Sequence, residues 1–221
     1  MKNKLEILYE DNHIIVVVKP VNILSQSDST KDIDMLTMVK SYIKEKYNKP
    51  GNVYVGLVHR LDRPTGGIMV FAKTSKAASR LSKDIANHNF KKEYLAVIEG
   101  NLVNRGILEN YLDRDGKKAF VTTKEKGKYS KLDYEVISKK EKLNLVKVNL
   151  TTGRHHQIRI QFSNIGFPLY GDQLYGKNDK EQIALYAYHL VFTHPTTKEI
   201  MNFKIIPKYG VFKEFNTSEV V

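Results

Sequence analysis

The sequence lacks cysteine, long apolar runs and a matching number of acidic residues, and each shortage excludes a class of protein. Without cysteine among its 221 residues, the chain has no disulfide scaffold, thiolate zinc site or cysteine nucleophile. The purely apolar runs, such as Ile14–Val18, are too short to cross a bilayer, and the N-terminus has no apolar stretch of signal-peptide type. We therefore expect a cytoplasmic protein without a membrane partner.

The charge balance indicates a polyanionic partner. Lys and Arg number 36 against 24 Asp and Glu, which gives a formal net charge of +12 at pH 7. Residues 61–131 alone carry 15 of the basic residues and 8 of the acidic ones. Such an excess on a compact chain is typical of nucleic-acid binding, although a lysine-rich solvated surface gives the same balance.

Short strands outnumber helices in the sequence pattern. Alternating or β-branched runs predict strands at 5–9, 14–18, 53–58, 68–72, 92–100, 107–112, 118–123, 130–138, 143–151, 185–193 and 200–206. Apolar residues at helical spacing predict helices over 34–47, after Ser75 as N-cap, and over 155–164. Strands often follow one another directly, and no linker or repeat interrupts the chain. We predict an α+β fold with a mixed, largely antiparallel central sheet flanked by helices and loops, in one domain over residues 1–221.

A dense polar cluster follows one predicted strand, in the segment Val58-His-Arg-Leu-Asp-Arg-Pro-Thr-Gly-Gly67. Asp62 lies between Arg60 and Arg63, and neighbouring cations favour an ionised carboxylate. An ionised carboxylate can serve as nucleophile, general base or electrostatic stabiliser, whereas a surface ion-pair cluster would contribute little. His59 is interpreted as a structural hydrogen-bond partner of this loop.

A second polar cluster, Thr151-Thr-Gly-Arg-His-His-Gln-Ile-Arg159, lies at a predicted strand-to-helix junction. His155 and Arg159 are four residues apart and are predicted to share a helical face. His155 and His156 are predicted to lie on different faces, and no acidic residue is close in sequence, so we predict no metal site. Anion binding or pairing with a carboxylate fits the cluster better.

Together these segments resemble the motifs of RluA-type RNA pseudouridine synthases. His59–Gly67 is similar to the central motif of that family, and Gly153–Arg159 is similar to its late Gly-Arg-x-His-Gln-Ile-Arg motif. Further segments resemble family blocks in the same order along the chain, namely Val16–Pro20, Lys92–Ala96, Gly171–Gly176 and Leu185–Pro195. The chain departs from the family pattern at Pro64, Gly66, His155 and Gln161. The resemblance implies the pseudouridine synthase catalytic core.

The resemblance also implies a cofactor-free isomerase acting on RNA. Such an enzyme breaks the N1–C1′ bond of a uridine, turns the uracil and reattaches it through C5. Asp62 would be the catalytic carboxylate, either attacking C1′ or stabilising positive charge there, and Arg159 would pair with it. Tyr94 would stack on the uracil, with its hydroxyl a candidate for proton transfer. Arg60 would enter the RNA stack where the target base has flipped out.

The expected partner is therefore RNA, with ribosomal and transfer RNA both open. Charge and resemblance together give a set of expected RNA contacts: Arg60, Arg63, Lys92, Lys117, Lys118, Arg154 and His155. Because the chain starts directly with the first core strand, we expect no N-terminal S4-like RNA-binding domain. We expect a monomer.

Two other functions fit part of the pattern. A non-enzymatic RNA-binding protein would need only the basic charge and the fold. An N-glycoside hydrolase of nucleic acid would use a carboxylate at C1′ but admit water. RNA binding without modification would indicate the first, and release of free uracil the second.

Overall fold

The computed structural model describes residues 5–30, 32–116, 118–177 and 180–220. The chain divides into two compact units, each formed from two stretches of sequence. The first unit comprises Met1–Phe90 and His189–Ile205, and the second comprises Lys91–Tyr188 and Ile206–Val221. The single catalytic domain expected over residues 1–221 stays a prediction.

The first unit is built on antiparallel strands with two helices. Its elements are β1 (Glu6–Glu10), β2 (Ile14–Lys19), α1 (Met35–Lys46), β3 (Gly56–Leu57), β4 (Gly66–Ala72), α2 (Ser75–Ala86), the second half of β10 (Leu185–Thr193) and β11 (Ile200–Lys204). Strand β2 pairs with both β1 and β4, β3 pairs with β4, and β11 pairs with β10, all antiparallel.

The core of the first unit explains why its central strands form. Every residue of β2 and β4 is buried, as β-branched and apolar runs predict for strands covered on both faces. Val16, Val70, Leu81 and Phe192 belong to one apolar cluster with α2 packed against it. Burial of each such side chain stabilises the fold by about 1.5–3 kcal/mol. The loop between β3 and β4, which carries Asp62, is therefore attached to a rigid strand.

The second unit contains five complete antiparallel strands, the first half of β10 and one α-helix in its described part. Its strands are β5 (Lys91–Glu99), β6 (Arg105–Asp115), β7 (Lys118–Thr122), β8 (Lys128–Lys140) and β9 (Leu143–Leu150), and its helix is α3 (Gln157–Asn164). The strand order is β5-β9-β8-β6-β7. The chain turns from β6 to β7 after Asp115, which pairs with Lys118, and Gly116 has a φ of +53° there. Short 3-10 turns at Gly210–Glu214 and Thr217–Val220 follow.

The predicted fold class is confirmed, because the strands and few helices form an α+β architecture with antiparallel pairing inside each unit. Among the residues that the structure describes, no helix is both long and apolar enough to cross a membrane.

Two predicted boundaries in the first unit are wrong. The strand expected over 53–58 is reduced to Gly56–Leu57, because only these residues pair with β4. Gly56 is required there, since a Cβ at this position would lie 2.8 Å from the Cβ of Ala78. The N-cap of α2 is Thr74, which has an extended backbone (φ −136°) and whose side-chain oxygen accepts the Ala77 N–H. Ser75 is the first helical residue.

The helix predicted from residue 155 also begins later than expected. His156 adopts the left-handed conformation, with φ 51° and ψ 24°, and serves as the N-cap of α3. His155 therefore precedes the helix and does not share a helical face with Arg159. The two histidine rings stack with centroids 3.8 Å apart, so the prediction that they lie on different faces is wrong.

Candidate active site

The backbone around Asp62 is fixed on both sides within the first unit. The Ser25 hydroxyl donates to the Leu61 carbonyl at 2.7 Å, and the Leu61 N–H donates back to the Ser25 oxygen at 3.1 Å. The Thr65 N–H donates to the Asp62 carbonyl at 3.0 Å and closes a turn that includes Pro64. Asp62 is half-buried. Its carboxylate thus extends from a turn that has little freedom to move, as a preorganised reactive group requires.

Lys19 also holds this turn in place through hydrogen bonds. Its side chain is fully buried, and its Nζ donates to the carbonyls of Pro20, Ile23 and Arg63 at 3.0, 2.5 and 3.0 Å. Burial lowers the pKa of Lys19 to about 7, while the negative charge of Asp62 raises it. Lys19 therefore links the end of β2 to the residue that follows Asp62. The sequence placed Lys19 in a family-like block but gave it no role.

His59 has the structural role predicted for it. Its Nε2 accepts the Val70 N–H of β4 at 3.1 Å. Because Nε2 is the acceptor, the neutral ring carries its proton on Nδ1. The bond satisfies a backbone donor in a strand that is buried throughout.

The two arginines of the motif are exposed. Arg63 pairs through NH2 with the Asp32 carboxylate at 2.8 Å, and both side chains are about half exposed. Arg60 is also exposed. An arginine must be exposed in order to contact RNA. The RNA-binding roles of Arg60 and Arg63 stay predictions.

In the second unit, Tyr94 lies on β5 directly opposite Val148 of β9. Its side chain is buried, with 8% exposed. Lys92 is two residues earlier on the same strand, and since side chains alternate along a strand, Lys92 and Tyr94 share one face of the sheet. We call this side of the second unit's sheet the Tyr94 face.

Arg159 is held by a partner that the sequence reasoning missed. Its Nε and NH2 donate to the two carboxylate oxygens of Asp172 at 2.8 and 2.7 Å, and both side chains are buried. Burial alone would raise the pKa of Asp172, but the hydrogen bonds and charge of Arg159 outweigh it and lower that pKa. The Asp172 carboxylate also accepts the N–H groups of Leu174 and Tyr175. The pairing of Arg159 with Asp62 stays a prediction.

Tyr175 completes the support of α3. Its ring lies under the Arg159 guanidinium, 5.2 Å from ring centre to Cζ, and its hydroxyl accepts the Ala119 N–H at 2.7 Å. The same hydroxyl lies 2.9 Å from His156 Nδ1. Asp172 and Tyr175 both belong to Gly171–Gly176, a segment whose family resemblance was noted without any role. That resemblance was the signal that could have identified them.

The turn before α3 is fixed by Gln157. Its Oε1 accepts the Arg154 N–H at 3.0 Å and the Thr152 hydroxyl at 2.8 Å, and its Nε2 donates to the Lys131 carbonyl at 3.1 Å. Farther along the helix, the buried Gln161 donates to the Leu108 carbonyl and the Asn110 side chain. Gln161, a departure from the family pattern, therefore anchors α3 to β6.

The expected RNA contacts of the second unit are not all on one side. Lys92 lies on the Tyr94 face, and Arg154 and His155 precede α3. Two residues that are direct partners on neighbouring strands share a face, and so do residues two apart on one strand. By these two rules Lys118 shares a face with Glu93, along the path Asp115, Tyr111, Tyr129, Asp133 and Asn149. Glu93 adjoins Tyr94, so Lys118 lies on the opposite face. Lys117 lies outside the described residues.

Comparison with known proteins agrees with the fold and motifs. Residues 13–164 match the family model described as RNA pseudouridylate synthase. The chain is 31% identical over 215 residues to ribosomal large subunit pseudouridine synthase D of Zymomonas mobilis, covering 90% of this chain and 68% of the relative. It is 35% identical over 219 residues to an uncharacterized RNA pseudouridine synthase of Aquifex aeolicus, covering 91% and 69%.

A solved structure shows the same fold. The human RNA pseudouridylate synthase domain containing 4 superposes with a TM-score of 0.77 at 19% identity, covering 94% of this chain and 90% of that one. The family match covers more than half of the chain, and it includes the positions of Asp62, Tyr94 and Arg159. The chain therefore belongs to the RluA-type RNA pseudouridine synthases, isomerases of the EC 5.4.99 type that convert uridine in RNA to pseudouridine.

Proposed function

We propose that Asp62 is the catalytic carboxylate of this enzyme and acts at C1′ of a flipped-out uridine. The strongest support comes from the hydrogen bonds that hold the turn on both sides of Asp62. Ser25 donates to the Leu61 carbonyl, and Lys19 donates to the Arg63 carbonyl. Hydrogen bonds from two separate side chains to one turn are typical of a site that must be preorganised. Asp62 is the carboxylate of that turn.

The proposed reaction conserves every atom of the nucleoside. The N1–C1′ bond breaks, the C5–C1′ bond forms, the C5 hydrogen leaves as a proton and N1 regains one. Asp62 either attacks C1′ or stabilises positive charge there, as carboxylates do at glycosidic centres. No redox partner is needed.

The remaining site residues support that step in different ways. Tyr94 stacks on the detached uracil and offers its hydroxyl for proton transfer. Arg159, held rigidly by Asp172, pairs with Asp62 and keeps it ionised. Arg60 fills the gap that the flipped base leaves in the RNA.

We propose ribosomal RNA of the large subunit as the substrate, with transfer RNA as the alternative. This rests on the name of the Zymomonas mobilis relative and on the net charge of +12, which suits a phosphate backbone. The enzyme would then act in the cytoplasm as a monomer.

Mapping of pseudouridine in total RNA from cells with and without the gene tests this function. We expect a uridine of large-subunit ribosomal RNA to lose its modification in the deletion strain and regain it when the gene is restored. Loss confined to transfer RNA would move the substrate to the alternative. No change in any RNA would indicate a binding protein, and free uracil released from RNA would indicate a hydrolase.

A further inference from the structure

Two cations of the second unit, Lys92 and Arg154, lie close enough for their charges to interact. Lys92 is half-buried on the Tyr94 face of β5. Its neighbour Lys91 lies on the other face and pairs with Glu93 at 3.1 Å. Within the described part of the chain, no carboxylate pairs with either Lys92 or Arg154.

Gly153 brings the Lys92 ammonium close to the backbone beside Arg154. A Cβ at position 153 would lie only 3.3 Å from the Lys92 Nζ, so a larger residue there would displace the ammonium. Burial lowers the pKa of Lys92, and the positive charge of Arg154 lowers it further. The protein therefore holds two like charges together at an energetic cost, which an anion bound between them would relieve.

Arg154 is held in place by its neighbours. Its backbone N–H donates to Gln157 Oε1 at 3.0 Å, and its Nε donates to the Tyr129 carbonyl at 3.1 Å. Gln157 is itself buried and fixed by Thr152. The guanidinium is exposed to solvent, so it can meet a ligand without first being ordered.

We propose that Lys92 and Arg154 form a subsite for one phosphodiester group of the RNA backbone. The inference rests on the proposed function for the identity of the ligand as RNA. A guanidinium and an ammonium together suit a phosphate, which accepts several charge-assisted hydrogen bonds. Because Lys92 and Tyr94 share a face of β5, the subsite would anchor a phosphate near the target uridine.

The salt dependence of RNA binding tests this subsite without requiring turnover. The probe is a fluorescein-labelled oligouridylate of about 12 nucleotides, which is within the usual site size for single strands. We expect Lys92→Gln and Arg154→Gln each to reduce the slope of log Kobs against log salt by about 0.7. Lys92→Arg, which retains the charge, should restore the slope. Thermal unfolding of each variant verifies that it is folded.

Lys91→Gln is the matched control, because it removes the same charge one residue away on the opposite face. Equal slopes for Lys91→Gln and Lys92→Gln would overturn the subsite. A second probe with a neutral methylphosphonate backbone should bind wild type and Lys92→Gln alike. A remaining difference there would show that Lys92 does not contact phosphate. Since binding is measured apart from pseudouridine formation, a failed subsite and a failed enzyme assignment give different results.

Discussion

Arg159 and Asp172 form a buried, two-bonded ion pair, with their nitrogen and oxygen atoms 2.8 and 2.7 Å apart. Asp172 lies in the segment that follows α3, so the pair fastens that segment to the helix. Such a pair contributes little over a hydrophobic replacement of both partners, but removal of one partner leaves a buried charge uncompensated. Each of the two buried charges therefore requires the other one as its partner.

Asp172→Asn tests this dependence through stability. We expect the free energy of unfolding at pH 7 to fall by about 3–5 kcal/mol, measured by urea denaturation. Glu214→Gln, which removes a carboxylate from an exposed ion pair with Lys140 at 3.1 Å, should cost about 0–1 kcal/mol. Similar losses of unfolding free energy in the two variants would show that the buried Arg159–Asp172 pair contributes no more to stability than an exposed ion pair.

The pH dependence of that loss has a definite sign. The pKa of Asp172 is lowered in the folded protein, so the unfolded chain binds the proton more tightly. The ionised Asp172 contributes fully to stability above the usual aspartate pKa of about 3.9. This contribution disappears as the pH falls through the lowered pKa of Asp172 in the folded protein. The unfolding free energies of wild type and Asp172→Asn should therefore converge in acid. A constant difference down to the acid transition would contradict the lowered pKa.

Lys19 gives a prediction with the same sign of slope, but at a higher pH. Its pKa is lowered to about 7 in the folded protein, against about 10.4 for an ordinary lysine. Between these values the unfolded state binds more protons, so stability from this group increases with pH. We expect the unfolding free energy of wild type, relative to Lys19→Met, to rise from pH 7 to pH 9. If the difference in unfolding free energy between wild type and Lys19→Met does not change from pH 7 to pH 9, Lys19 stays charged across this range.

His59 is expected to matter for folding more than for chemistry. His59→Phe leaves the Val70 N–H of a buried strand without its acceptor, at a cost of about 1–3 kcal/mol. His59→Gln keeps an acceptor oxygen and should recover part of that loss. Thermal unfolding measures both, and kcat at a temperature where each variant is folded should stay close to wild type. A kcat loss in the stable Gln variant would assign His59 to the reaction.

The hairpin of β6 and β7 distinguishes the two faces of the second unit's sheet. Lys118 and Asp115 are direct partners, as are Arg114 and Ala119, so Arg114 shares the Tyr94 face and Lys118 does not. We expect Arg114→Glu to weaken binding of labelled RNA more than Lys118→Glu at the same salt concentration. The reverse order would place the RNA on the other face.

Most of the fold could be predicted from sequence because its strands are strongly patterned. The β-branched run of β2 and the apolar run of β4 allow few other structures. The start of α3 could not be predicted, because His156 adopts the left-handed conformation, which is uncommon for any residue other than glycine.

The sequence suggests site residues only where a residue type carries obvious chemistry. Asp62 and Arg159 belong to the predicted site because charged groups in dense motifs suggest function and because those motifs resemble the family's. Lys19 does not, because a lysine at the end of an apolar strand gives no sign that it bonds to three carbonyls. Asp172 was missed for a related reason, since its partner is 13 residues away in sequence and only folding brings the two together.

Tritium release is the most direct test of the central claim, that Asp62 carries out the isomerisation. The substrate is total RNA from a strain lacking the gene, labelled with uridine tritiated at C5, which loses that tritium when C5 joins C1′. Wild type should release tritium, and so should Asp84→Asn, which alters another half-buried carboxylate of the first unit. Asp62→Asn and Asp62→Ala should release none above background. Release by Asp62→Ala at a rate near that of wild type would contradict the account.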